Sequence, residues 1–388
     1  MLRIILVSSA CLLFGFLVAI AAASEGVSTR SEDAQNVSLY LVNQEGGYGF
    51  INREGKVVIA GPFSNAWWFS EGLAPVSVGG KWGFIDATGQ FAIEPRYDNV
   101  LSFSEGLAPV CSGEKWGYVD RRGTVVIQPT FASVGAFSEG LAVVWNGDPR
   151  KEPDSRIGYI DKTGRFVVEP RYGADTFSAR DFSEGLAAVK LPDQRRSGYI
   201  DRQGRMVIEP EFTYAGDFSE GLAAVEIGGP IRSQWFYIDK TGKRVLVLDS
   251  TVTLACSFQE GLASIEYYGK KGDLSVGCID RQGRVVIAPI FSQIGPFSEG
   301  LASARMTPGG KFGYIDRTGK IVIEMKFDRP GLFSSFSNGI ARVRVNGQAA
   351  YIDKAGKYIW PPASGTVDES SKASPPATDA PIDVKPSW

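Results

Sequence analysis

The chain has 388 residues, a formal charge of −2 and 44% apolar residues, and it contains no histidine. Histidine is the commonest metal ligand and the usual general base near neutral pH, so its absence excludes Ser-His-Asp and Cys-His catalysis and His-based zinc sites. The charge is spread evenly and forms no basic patch of the kind that tracks a nucleic-acid backbone, so no nucleic-acid partner is expected.

Arg3 opens the chain, Ile4 to Ile20 is apolar apart from Ser8, Ser9 and Gly15, and Ala21-Ala22-Ala23 follows. That is the pattern of a secretory signal peptide over residues 1–23, cleaved before Ser24, which leaves no membrane span in the mature chain. An uncleaved anchor is the rival, because the apolar run is just short of a comfortable span. The expected location is secreted, or periplasmic within the cell envelope. Cleavage removes Cys11 and leaves Cys111, Cys256 and Cys278, which make no disulfide framework. A Cys256–Cys278 bridge stays open beside the reading of Cys278 as a small core residue.

Residues 24–36 are polar and read as a flexible lead-in. From residue 37 to 361 the chain repeats itself. "FSEGLA" begins at Phe69, Phe103, Phe137, Phe182, Phe218 and Phe297, with variants at Phe258 and Phe336. Each unit holds three short runs rich in Val, Ile, Phe, Tyr and Trp, which is strand composition and strand length. Run A follows FSEG (Leu73–Val78), run B contains the Trp-Gly (Trp82–Asp86), and run C follows the next turn (Phe91–Glu94). A weak fourth strand fits the segment between run C and the next FSEG. The B–C turn reads D-x-x-G: Asp86 with Gly89, Asp120 with Gly123, Asp161 with Gly164, Asp201 with Gly204, Asp280 with Gly283 and Asp316 with Gly319. Aspartate opens a type I turn by accepting from its own backbone two residues on, and the glycine takes the left-handed conformation that re-enters the second strand. About nine such units are expected. The fold class is all-β: tandem three- to four-stranded antiparallel meanders, stacked as a propeller-like ring or an open curved solenoid, with the ring slightly preferred. No terminal strand is visibly reserved to close a ring. Residues 362–388 are rich in Pro, Ser and Ala and are expected to be disordered.

Lys81-Trp82-Gly83-Phe84-Ile85-Asp86 and Lys115-Trp116-Gly117-Tyr118-Val119-Asp120, each followed by a hydrophobic-Ile-Glu/Gln-Pro run and FSEGLA, resemble WG (KWG) repeat proteins. The resemblance covers roughly Ser38 to Pro361. It implies a bacterial secreted or envelope protein built from β-repeats, with no catalytic residue common to the family. Some units depart from the pattern: Ile157-Gly158, Ser197-Gly198 and Val276-Gly277 lack the Trp, and Trp235-Phe236 lacks the Gly.

Carboxylates that recur in nearly every unit, such as Asp86 and Glu71, read as turn formers, and the Trp and Phe of run B as packing. No metal site and no cofactor is expected, since no acidic-loop calcium pattern occurs. Departures from the repeat are better candidates for binding. Trp67-Trp68 stand before Phe69, where other units carry Leu101-Ser102, Ala136 or Asp217; Trp145 ends one run A, and Tyr267-Tyr268 another. Glycine-to-glycine spacing grows from 34 to as much as 41 residues. The excess falls mainly between runs A and B, at 146–156, 190–196, 227–234 and 267–276. Equivalent loops of a stack share one edge, so these inserts decorate one face, with basic residues Arg195, Arg196, Arg232, Lys270 and Lys271 among them. The function expected is a non-catalytic scaffold that binds a protein or glycan partner through that face. The alternatives are a carboxylate-based glycan hydrolase, which needs two acids outside the turns, and a purely structural spacer.

Overall fold

The computed structural model describes residues 38–44, 46–148, 151–152, 154–173, 179–192, 195–229, 232–269, 273–328 and 334–362. The signal segment, the lead-in and the C-terminal tail lie outside the described residues. Among those described there is no helix, and the strands form nine antiparallel sheets, each a blade. The blades span residues 40–63, 65–97, 99–131, 133–172, 186–212, 214–247, 252–291, 293–327 and 340–360, numbered 1 to 9, and together make a nine-bladed β-propeller.

Run A is buried along nearly its whole length, as in Leu73–Val78, because it lies in the middle of a sheet covered on both faces. Run C alternates: in Val125–Phe131 only Ile127 and Phe131 are buried, as expected of an edge strand with one face on the core. In five blades the fourth strand is two residues long, in blade 7 it is four (Val252–Ala255), and it opens the next blade: Asn99 and Val100, leaving run C of blade 2, pair with Cys111 and Val110 in run A of blade 3.

Two turns set each blade. In the B–C turn, Asp86 Oδ1 accepts from the Thr88 and Gln90 amides at 2.8 and 3.1 Å. The Gly89 amide donates to the Asp86 carbonyl at 3.0 Å, with Gly89 at φ 85°. In the FSEG turn, Ser138 and Leu141 exchange both backbone hydrogen bonds, and the two residues between them, Glu139 and Gly140, both have positive φ (53° and 84°). That is a two-residue type I′ hairpin, which normally carries Asn-Gly. A glutamate held there costs about 1–2 kcal/mol.

The glutamate is kept because its side chain leaves the turn. Glu139 Oε2 accepts from the Gly185 amide of the next blade at 2.8 Å, and the Ser138 hydroxyl donates to the Phe182 carbonyl at 2.7 Å. The same carboxylate–amide bond joins Glu71 to Gly106, Glu105 to Gly140, Glu184 to Gly221, Glu220 to Gly261, Glu260 to Gly300 and Glu299 to Gly339. A charge-assisted bond of this kind contributes about 1.5–3 kcal/mol, enough to outweigh the strain. Turn chemistry alone is therefore an incomplete account of these glutamates. The final turn shows the converse. Blade 1 has no FSEG glycine among the described residues, and there the motif carries Asn338, a residue at ease with positive φ, whose amide reaches the Ser38 hydroxyl at 3.2 Å.

The Trp-Gly motif serves a bulge. Trp82 pairs with Tyr97 and Phe84 with Ile93, so one residue of run B, Gly83, faces three of run C, Glu94-Pro95-Arg96. Proline suits a bulge because it has no amide to leave unpaired. Any side chain on the glycine would strike run C: a methyl on Gly158 would lie 2.5 Å from the Val168 carbonyl oxygen. In blade 6, Phe236 replaces the glycine and run C has no proline. There Phe236 pairs with Val247 and Tyr237 with Leu246, with no bulge between them. Glycine, proline and bulge are lost together.

The ring closes by side-chain substitution. Tyr118 stacks on Phe137 of the following blade at 4.9 Å and donates to the Gly135 carbonyl at 2.9 Å; Tyr159, Tyr199, Tyr237 and Tyr314 make equivalent hydrogen bonds. Tyr351 of blade 9 meets blade 1, where that segment is not among the described residues. Its hydroxyl donates instead to the Leu41 carbonyl at 2.6 Å, and Tyr40 supplies the ring, 5.6 Å away. Val42, Ile51, Ile340 and Tyr351 form a joint core across the seam.

Two changes test this reading. Glu184→Ala removes one interblade bond and should lower stability by about 1–3 kcal/mol, read from the urea midpoint. Gly158→Ala should lower it by about 1–3 kcal/mol through overpacking of the bulge, a cost that a Pro170 bulge makes unavoidable.

Candidate functional site

Antiparallel strands place the FSEG and D-x-x-G turns on one edge of every blade and the A–B connections on the other. The first edge is fully engaged in blade-to-blade bonds: Lys162 Nζ donates to the Glu105 carbonyl at 2.9 Å, Arg281 to that of Glu220 and Arg317 to that of Glu260, both at 2.7 Å. The A–B edge is tight in blades 2, 3 and 9, where Gly79-Gly80, Gly113 and Asn346-Gly347 turn with positive φ. In blades 4 to 7 it is enlarged, and in blade 8 the connection 306–311 is as long as that of blade 5, so the enlarged connections fall on consecutive blades.

The inserts differ in form. In blade 4 the two ends of the insert are tied together: the buried Ser155 hydroxyl donates to the Gly147 carbonyl at 2.5 Å, and Asn146 Oδ1 accepts from the Arg156 amide at 2.8 Å. In blades 6 and 7 the expected loops are largely strand. Run A extends to Gly229 and run B starts at Arg232, paired to each other; Tyr267 pairs with Ser275, and Tyr268 with Leu274. The second hairpin carries an apolar cross-strand pair, Tyr268 and Leu274, 56% and 44% exposed.

The residues expected to bind are not brought together. Tyr268 and Arg195 are exposed on the enlarged edge. Arg196 is half-buried and donates to the Glu211 carbonyl at 2.8 Å, so its charge is held by its own blade. Arg232 is placed by its backbone within a strand. Lys270 and Lys271 lie outside the described residues. Tyr267 packs, half-buried, among Val252, Trp235 and Ile265. Trp145 is buried among Ile157, Tyr172 and Val189, because the run that it ends is a central strand of a sheet covered on both faces.

Trp67 and Trp68 sit elsewhere, at the ring seam. Their rings meet edge to face at 6.4 Å, and Arg342 of blade 9 lies 5.9 Å from the Trp68 ring centre. Trp68 thus reaches past blade 1. Its half-buried ring packs beside Phe50 and Phe69, while Trp67 remains 36% exposed.

One cluster escaped the reading of the sequence. Arg180 Nη1 lies 3.1 Å from Asp217 Oδ2, and Nη2 donates to the Tyr214 hydroxyl at 3.3 Å. Asp181 stands beside them. Burial, with the Asp217 charge adding and Arg180 opposing, pushes the Asp181 carboxyl up to about 7; burial also raises Asp217, against the pull of Arg180. Asp181 and Asp217 both precede an FSEG phenylalanine, the position held by Trp68, Ser102, Ala136, Ser257, Pro296 and Ser335 in other units. Two acids at that position in successive units were the available signal.

Stitched blades, a uniform turn edge and a variable opposite edge define a tandem-repeat β-propeller. The chain belongs to the WG containing repeat family, which matches residues 48–82, 82–116, 116–147, 157–191, 198–229, 277–307 and 312–348. The unmatched stretch at 230–276 includes the run B that lacks its glycine. No curated protein matches the sequence. Among solved structures, the chain is similar to dihydro-heme d1 dehydrogenase NirN in complex with DHE, at 13% identity over 79% of this chain and 76% of that one, TM-score 0.45. It is also similar to the uncharacterized protein lmo1340 of Listeria monocytogenes EGD-e, at 8% identity over 76% and 97%, TM-score 0.39. A third likeness is to apo AztD of Citrobacter koseri, at 13% identity over 82% and 92%, TM-score 0.37. Likenesses this distant carry nothing about activity.

The Asp181 carboxyl gives a signed pH prediction. Its pKa in the fold is raised above the ordinary 3.8, so the folded chain binds more protons there than the unfolded chain, and stability falls as pH rises from about 4 to about 7. Asp181→Asn should flatten that fall and melt above the parent at pH 8, with little difference at pH 4. Thermal melts across the range check it.

Proposed function

We propose that the chain is a non-catalytic interaction scaffold, exported to the envelope or beyond, that binds a protein or glycan partner through the A–B edge of blades 4 to 7. The observation that carries this reading is the clustering of the inserts on consecutive blades, all on the edge where the A–B connections vary in length while the turn edge stays uniform. A binding surface needs contiguous, variable elements on a rigid support. The projecting Tyr268–Leu274 pair supplies an aromatic and aliphatic tip, and Arg195 adds a cation. Tyrosine and arginine are the residue types that most often dominate binding energy. The N-terminal signal pattern supports export, as the WG resemblance does.

A second reading has one specific pair to stand on. Asp181 and Asp217 are acids outside the turns, and a carboxyl raised to about 7 suits a general acid. The Arg180 bond to Asp217 argues for a structural pair instead, since it commits one of the two acids to an ion pair.

The test uses the mature chain as bait for an envelope fraction. Replacing residues 268–274 with a short Asn-Gly turn should abolish capture of partners while leaving the melting temperature within about 2 °C, as expected for a surface change costing under about 0.5 kcal/mol. Unchanged capture after that replacement, and after shortening 146–156 and 190–196, would sink the scaffold reading. Turnover of a glycan that is lost in both Asp181→Asn and Asp217→Asn would establish the second.

A further inference from the structure

We propose that the place between blades 4 and 5 where Asp181 meets Gly135 binds a small guanidinium or alkylammonium cation from the axial channel. This site stands apart from the A–B edge and does not depend on it. In each four-stranded sheet the order is lead strand, run A, run B, run C. Run C is the outer edge, with exposed residues along it. The lead segments therefore form the inner edge, which lines the central channel of a propeller.

Two residues of each lead segment stand just before the FSEG phenylalanine. The carbonyl of the first accepts from the run-B tyrosine of the preceding blade: Tyr118 donates to Gly135, Tyr159 to Arg180 and Tyr199 to Gly216. The same residue faces the second residue of the following segment. Arg180 meets Asp217 in this way, Nη1 to Oδ2 at 3.1 Å. One step back around the ring, Gly135 meets Asp181: a methyl on Gly135 would stand 3.3 Å from Asp181 Oδ1. The two contacts are equivalent, an acid facing the first residue of the preceding segment. At Asp217 the chain supplies the cation, and at Asp181 a glycine stands in its place.

The Asp181 carboxyl is enclosed by protein on a residue that keeps a partly exposed surface, as a group in the wall of a narrow channel does. Among the described residues no group donates to it. The two nearby hydroxyls, of Tyr118 and Tyr159, are committed to the Gly135 and Arg180 carbonyls, and Arg180 is committed to Asp217 and Tyr214. Asp181, Asp217 and Arg180 together carry one negative charge when both acids are ionised. An enclosed carboxylate with neither donor nor counterion is costly. A guanidinium or alkylammonium supplies both, as the Arg180 head does for Asp217. The charged and titratable groups that face Asp181 are Tyr118, Tyr159, Arg180 and Asp217. Burial keeps both tyrosines neutral. With burial raising the Asp181 carboxyl to about 7, a cation meets a neutral acid at pH 5 and mostly a carboxylate at pH 8.

The experiment titrates methylguanidinium chloride and methylammonium chloride into the full chain, with sodium chloride at equal ionic strength as the control, and follows binding by calorimetry and thermal melts. At pH 8 one equivalent of at least one probe should bind and raise the melting temperature above the control, by mass action on the folded state. At pH 5 the affinity should be weaker by about tenfold or more, since the ionised fraction falls about tenfold per pH unit below the pKa. Asp181→Asn, which removes the charge and keeps the shape, should lose the response at both pH values. The proposal is overturned if Asp181→Asn responds as the parent does, if neither probe exceeds the sodium chloride control at pH 8, or if the response is the same at pH 5 and pH 8.

Discussion

A carboxylate that leaves its own hairpin to accept an amide of the next blade is the bond on which the ring depends. It explains why glutamate occupies seven left-handed turn positions where asparagine would be at ease. It also explains why asparagine returns at residue 338, where no glycine amide follows among the described residues. The cations of the D-x-x-G turns, such as Lys162, Lys240 and Lys354, stand 3.0–3.1 Å from the same carboxylates. They are half-exposed pairs and add little by themselves. At Glu299 burial works to raise the carboxyl, yet Lys354 and the Gly339 amide hold it below its usual range. At that position the clamp works with a charged acceptor.

This arrangement divides the molecule. The turn edge of each blade is spent on its neighbours, so a change there disturbs two blades at once. The opposite edge bears the A–B connections, which lengthen at small entropic cost, with a few blade-to-blade bonds such as those of Asp98 to Lys81 and the Gly113 amide. Blades 4 to 7 use that freedom, in two cases by lengthening strands that were already paired. Specificity can vary on one edge because the other is held constant.

The turns, the three runs and the repeat length were legible because each depends on residues within a few positions: an aspartate and its own amides, a glycine at positive φ, an alternation of two. The Trp-Gly motif was legible as a strand and not as a bulge, since the partner of Gly83 is the carbonyl of Ile93 across the sheet. Trp145 read as a binding residue because it interrupts a pattern, and its place in a central strand covered on both faces buries it. Trp67 and Trp68 interrupt the pattern too, and their neighbours are Phe50, Arg342 and Phe69, which no local rule could assemble. Asp181 and Asp217 lie 36 positions apart and looked like ordinary variation until Arg180 joined them.

The sequence by itself determined the strands, their turns, the number of units and the family, since hairpin geometry is encoded in short spacings. Only the tertiary structure decided that the units close into a ring, that the glutamates are interblade bonds, and which odd aromatics are core. Those outcomes rest on contacts between residues from about 33 positions apart, as in Ser70 to Phe103, to 310 positions apart at the seam. A chain can state that a unit repeats; where the last unit meets the first is settled by the accumulated rotation of the blades.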